Sequence, residues 1–149
     1  MKSAKRLFLF FSVLFTYLFF TSFVQTNQLQ LTQIDVWEGL EAFHMSIALT
    51  FHPAEDGDFE PVKNDSDELV EAAENLLSSK LPVYFEKSES KKLKKDLQTT
   101  LQKLVKQSKE LHTLVETKKA TDKELLTKLN NLHSTYHHIE ELNNQAKKN

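Results

Sequence analysis

The chain of 149 residues contains no cysteine. That absence excludes disulfides, thiolate metal ligands, a cysteine nucleophile, a lipid-modified cysteine and a C-x-x-C-H haem attachment. Glycine occurs twice and proline three times, so chain breakers are scarce and each one marks a boundary. A glycine-rich phosphate loop, an H-E-x-x-H pair and a Ser-His-Asp pattern are also missing, and nothing in the sequence points to an enzyme. Short polar-apolar alternations exist, but none has turn residues on both sides, so no strand pattern competes with helix. Beyond the first two dozen positions aromatic residues are few, because seven of the eleven phenylalanines precede residue 24.

Those phenylalanines belong to a distinct opening segment, "MKSAKRLFLFFSVLFTYLFFTSFVQT". Lys2, Lys5 and Arg6 are followed by an uncharged, Phe-rich run over residues 7–24 and then by polar residues, the layout of an export signal. Small residues near Val24-Gln25-Thr26 or Thr21-Ser22 offer cleavage points, although no A-x-A is present. The run is also about the minimum length for crossing a bilayer, so retention as an N-terminal anchor is the alternative. Residues 1–26 are therefore expected to be a signal peptide or anchor, residues 27–149 a single domain, and the protein periplasmic or secreted. Without Lys2, Lys5 and Arg6 the remaining 16 Lys and Arg stand against 21 Asp and Glu, a net charge of −5. This balance argues against a nucleic-acid partner. Residues 34–80 are strongly acidic and residues 87–119 Lys-rich, a division that complementary solvated helix faces explain.

The domain reads as four amphipathic helices. In "QIDVWEGLEAFHMSIALTFHP" the residues Trp37, Leu40, His44, Ile47 and Phe51 fall at three- and four-residue steps and form one stripe, which Pro53 stops. Thr32 and Asp35 resemble a capping box at its start. After the turn "PAEDG", Asp58 is a good N-cap and Pro61 falls in a first turn, where a missing N–H is tolerated. The stripe Phe59, Val62, Ser66, Leu69, Ala73, Leu76 runs through Asn64-Asp65-Ser66, a stretch that propensity alone assigns to a loop; the periodicity predicts helix. "KLPVYFEKSES" is the longest connection. A third helix carries Leu93, Leu97, Leu101, Leu104, Ser108, Leu111 and Val115. "TKKATDKE" ends it, and Thr121 with Glu124 forms a capping box for a last helix bearing Leu125, Leu129, Leu132, Tyr136 and Ile139. Heptad-like stripes joined by short first and last connections predict an all-α, antiparallel up-down-up-down four-helix bundle.

Within that topology the six histidines acquire positions. The first and last helices become neighbours, and counting at about 1.5 Å per residue sets His44 roughly 12 Å and His133 roughly 17 Å from the end they share. His137 lies one turn beyond His133 on the same face. Two imidazoles at i, i+4 and a third from the facing helix can supply three nitrogens to Zn²⁺ or Cu²⁺, with Glu41 and Glu140 near enough to serve as ligands or as acceptors behind them. His44, occupying a full stripe position, is the strongest individual candidate. His52 is also a candidate, although its place before Pro53 at a helix C-terminus has a structural explanation. His112 and His138 rank below these, and a histidine bordering an apolar stripe is most often a half-buried amphipathic residue. Met45, one position off the stripe, reads as a gap-filler.

Four helices, an export segment and "L-x-x-L-H-S-T-Y-H" in the last helix resemble the periplasmic b-type cytochrome and cytochrome c-prime bundles. That resemblance implies haem held between a first-helix methionine and a last-helix histidine, here Met45 and His137, although Met45 lies deeper in its helix than the family's ligand. "TFHPAEDG" with "LHSTYHHI" is similar to a group of exported bacterial proteins of unassigned role, which implies His44, His52, His133 and His137 as one set. The expected function is transition-metal binding by the bundle. The competing expectation is a ligand-free structural or interaction module, its Lys-rich third helix meeting an acidic exported or membrane protein.

Overall fold

The computed structural model describes residues 36–148, which are helical with no strand among them. The helices are α1 (Glu38–Glu55), α2 (Glu60–Ser78), α3 (Val83–Lys87), α4 (Lys91–Glu116) and α5 (Asp122–Lys148). The export segment and the Thr32/Asp35 pair lie outside the described residues. No described helix is long and apolar enough to cross a membrane.

The core follows the periodicity closely on three helices. Val62, Ser66, Leu69, Ala73 and Leu76 of α2 are buried, as are Leu93, Leu97, Leu101, Leu104, Ser108 and Leu111 of α4. On α5 the buried stripe Leu125, Leu129, Leu132, Tyr136, Ile139 continues through Leu142, Asn143 and Ala146. Periodicity also prevails over propensity at Asn64-Asp65-Ser66. The helix passes through, with only Asp65 pulled off helical geometry (φ −117°, ψ 19°).

On α1 the stripe expected from sequence is displaced. Leu40, Phe43, Ile47, Thr50, Phe51 and Ala54 are buried, whereas His44 is half-buried. Phe43 takes the central position because steps of three and four from Leu40 and Ile47 reach 43 as readily as 44, and the larger apolar ring gains more from leaving water. Pro53 does not stop α1 either; it lies within the last turn and the helix reaches Glu55. One backbone bond is forgone there. The carbonyls of His52, Pro53 and Ala54 are then taken by the N–H groups of Asp56, Asp58 and Gly57. Gly57 turns the chain with φ at +90°, a conformation that side chains disfavour.

Of the helix-start signals among the described residues, the one at α5 holds and the one at α2 is off by a residue. The Thr121 hydroxyl accepts from the Glu124 N–H at 3.3 Å while the Glu124 carboxylate accepts from the Thr121 N–H at 2.9 Å, a reciprocal capping box. Asp58, expected as the N-cap of α2, lies one residue before it: Phe59 is the N-cap, and Asp58 accepts from the Glu60 N–H at 3.0 Å. The connection "KLPVYFEKSES" contains a helix the sequence did not announce, α3. Its Phe85 is fully buried and its Tyr84 hydroxyl donates to Asn143 Oδ1 at 2.6 Å, so it packs onto α5. Phe85 also meets Trp37 edge-on at 5.7 Å, and the Trp37 indole N–H donates to Ser79 Oγ at 2.9 Å.

The long helices contact one another in the order α1–α2, α2–α4, α4–α5, and α5 returns to α1. The α1 and α5 backbones come close at fewer places than those of the other three pairs, and aromatic rings fill the space between them. Four of the six histidines lie there.

Candidate functional site: a histidine seam between the first and last helices

On α1, residues 44, 48 and 52 stand above one another at i, i+4 spacing, and on α5 residues 133, 137 and 140 follow at steps of four and three. The two rows face each other. Along them the His52 and His133 rings lie 6.1 Å apart and the His133 and His137 rings 4.4 Å apart. The core side of the group is aromatic. Phe51 stacks on His133 at 4.1 Å, and Tyr136 lies 6.5 Å from His133 and 5.4 Å from His137. Both Phe51 and Tyr136 are buried.

His44 reaches the same seam by a different contact. Its ring stacks on Tyr136 at 5.1 Å with the planes only 10° apart. All four expected residues, His44, His52, His133 and His137, therefore share one seam, but His52 rather than His44 is the α1 imidazole that meets His133. The ranking from sequence reversed these two because it placed His44 at the centre of the stripe and explained His52 by helix termination.

Two of the imidazoles are held by carboxylates. His52 Nδ1 lies 3.1 Å from Glu55 Oε2, and His137 Nδ1 lies 2.7 Å from Glu140 Oε2. A carboxylate on Nδ1 fixes the proton there and leaves Nε2 as the free lone pair, the arrangement found behind metal-bound histidines. Glu140 was legible as such a partner, whereas Glu55 was missed. The signal was present: His52-Pro-Ala-Glu55 and His137-His-Ile-Glu140 have the same H-x-x-E spacing. His138 and Glu141 repeat it at 3.2 Å, but on exposed surface.

The electrostatics favour a neutral central imidazole. Burial, then the neighbouring His137 and His52, push His133 below the ordinary histidine value, with Glu55 pulling the other way and His44 adding to the depression. Tyr136 is pushed well above the ordinary phenol by burial and by its hydrogen bond to Glu140, with the Glu140 and Glu41 charges adding to the shift.

An imidazole bound through nitrogen at about 2 Å has its ring centre about 3 Å from the ion, so two rings on one tetrahedral ion sit about 5 Å apart. The spacings of 4.4 and 6.1 Å bracket that value. As the rings stand, no three His, Asp or Glu side chains among the described residues converge to hold an ion. Convergence requires rotation of His52 and His137. Their side chains are 60% and 54% exposed, and the terminal torsion of histidine is soft.

The remaining candidates lie elsewhere. His112 on α4 faces α2, its Nδ1 3.0 Å from the hydroxyl of buried Ser66. Met45 is 63% exposed, outside the core in which a clamp on haem between the helices would stand. Comparison of the chain with family models, with curated proteins and with solved structures returns no match.

Proposed function

We propose that residues 27–149 are an exported, antiparallel up-down-up-down four-helix bundle that binds a transition metal ion, Zn²⁺ or Cu²⁺, in the α1–α5 seam. His52, His133 and His137 supply the nitrogens, with His44 beside them. One observation carries this reading: His133 stands between two imidazoles whose Nδ1 atoms are engaged by carboxylates, leaving their Nε2 atoms free. Imidazole donors without thiolates suit Zn²⁺ and Cu²⁺. The topology is supported by cross-helix pairs in which rising numbers meet falling ones: Ser66 with His112 and Glu74 with Lys109, Phe51 with His133 and His44 with Tyr136. Residues 1–26 direct export to the periplasm or beyond and are then cleaved, or remain as an anchor.

A second reading is a ligand-free interaction module. It is favoured by the absence of convergence among the seam's donors as they stand. In this reading the exposed lysines of α4 meet an acidic exported or membrane protein. A haem-binding variant of the first reading uses Met45 and His137, and it requires Met45 to leave its exposed position.

Elemental analysis and the visible spectrum of the exported, untagged protein separate the three. The metal reading expects Zn or Cu near one equivalent per chain and no intense visible band. An intense haem band, or metal far below one equivalent even after incubation with either ion, would contradict it.

A further inference from the structure

The charges of the bundle are divided unevenly between its two ends. Where α1 begins, the Trp37 indole meets Ser79 just past the end of α2. Helix α3 joins the same end to α4 and α5: Lys94 Nζ lies 3.1 Å from the Glu86 carbonyl oxygen, and Lys147 Nζ lies 5.6 Å from the Tyr84 ring centre. Residues 36–38, 79–95 and 143–148 make up this end. They hold eight lysines against three glutamates, a net side-chain charge of +5 in a domain of −5. At the opposite end, where Lys63 meets Asp122, residues 53–63 and 116–124 hold seven carboxylates against four lysines.

The lysines of the basic end have no structural partners that explain them. Helix α4 opens on Lys91, Lys92, Lys94 and Lys95, all exposed, with no acidic residue in its first turn. The partial positive charge of a helix N-terminus disfavours cations there, so folding does not account for these four. Among the described residues Lys63, Lys106, Lys109 and Lys128 each form an ion pair with a carboxylate, and none of the eight lysines does. All eight are lysine, the chain's one arginine being Arg6 in the opening segment. An ammonium is a point charge suited to a diffuse field of phosphates, and it lacks the fork by which arginine fixes a particular carboxylate. The chain also enters the bundle at this end. Val36, 47% exposed, is separated from the apolar run of residues 7–24 by eleven residues.

We propose that this basic end docks on an anionic lipid surface, its lysines among the phosphate headgroups and the acidic end pointing away. The inference is independent of the metal reading. Clusters of about four to eight cations near an apolar anchor bind anionic headgroups in this way, each cation raising the binding roughly fivefold.

The test uses the full chain, which has no cysteine of its own, with a fluorophore on one introduced cysteine: Asn144→Cys at the basic end or Asp56→Cys at the other. Vesicles of phosphatidylcholine, with or without phosphatidylglycerol, carry a quencher on their headgroups. The label at position 144 is expected to be quenched several-fold more in the vesicles containing phosphatidylglycerol, and added salt should remove that difference. The label at position 56 should show little quenching in either. Changing Lys91, Lys92, Lys94 and Lys95 together to Glu should abolish the salt-sensitive quenching while helix content holds, because all four are exposed and glutamate suits a first turn. Equal quenching at the two ends, quenching indifferent to phosphatidylglycerol and salt, or salt-sensitive quenching that survives the fourfold change would each overturn the proposal.

Discussion

The α2–α4 and α1–α5 seams each contain histidine, and they use it in opposite ways. Between α2 and α4 a single imidazole, His112, is joined to the buried Ser66 hydroxyl, and Lys109 reaches Glu74 at 2.6 Å on the rim. There the polar groups in contact are paired, ring nitrogen with hydroxyl and ammonium with carboxylate. Between α1 and α5 the imidazoles face one another, so protonation of a neighbour disfavours protonation of His133. A histidine satisfied by its neighbours is part of the structure. Histidines that face each other, two of them with a carboxylate at Nδ1, are the donors that the proposed metal site would use.

The sharpest contrast is between either seam and the core they enclose. Leu129→Ala removes a fully buried side chain, and a loss of about 2–5 kcal/mol is expected from the cavity and transfer terms, measured by urea unfolding of residues 27–149. His133→Leu in the metal-free protein should be neutral or stabilising, because a leucine suits the half-buried place beside Phe51 better than an imidazole does. A similar large loss for both would mean that His133 is a structural core residue and that the two seams do not differ.

Ser66→Ala comes next. It strips the partner from the half-buried His112 at a packed seam, and a loss of about 1–3 kcal/mol is expected from the unsatisfied ring nitrogen. Ser66→Ala with no change in stability would show that His112 finds water, which removes the distinction between the seams from the other side. Thr121→Ala should cost about 1 kcal/mol through the lost cap, and it should do so equally with and without metal.

The smallest expected effect is that of pH. An imidazole whose folded-state pKa lies below its unfolded value takes up a proton more readily in the unfolded chain. His133 therefore contributes stability in full above about pH 6.5, and that contribution is lost as pH falls through 6.5 toward its depressed folded value. Unfolding midpoints from pH 8 to pH 5 should decline more steeply in the wild type than in His133→Leu. Parallel curves would show that neither burial nor the neighbouring imidazoles favour the neutral form of His133 in the folded chain.

Much of this arrangement was legible in the sequence, and the departures have physical causes. The stripes on α2, α4 and α5 and the Thr121–Glu124 cap depend on local spacing, which the sequence displays directly. Displacement of the α1 stripe to Phe43 depends on what the facing helices present, because positions 43 and 44 fit the same steps and only the partner surface chooses between them. Helix α3 was invisible because its reason for existing is tertiary: Phe85 and Tyr84 find Trp37 and Asn143 across the fold. The meeting of α1 and α5 histidines was anticipated, but not their register: Phe51 and His52 stand opposite His133 and His44 opposite Tyr136, so His44 and His133 are not level as counting along each helix suggested.

The metal claim is tested most directly by the thermal and urea stability of wild type and His133→Leu at pH 7.5, with and without Zn²⁺ or Cu²⁺. At a hundredfold excess over its dissociation constant, an ion that binds only the folded state should add about 2.7 kcal/mol to the wild type. His133→Leu should lose that gain while its metal-free stability holds, and acidification should erase the gain in the wild type as the imidazoles protonate. A wild type whose midpoint moves with neither ion, or a His133→Leu variant stabilised as much as the wild type, would contradict the account.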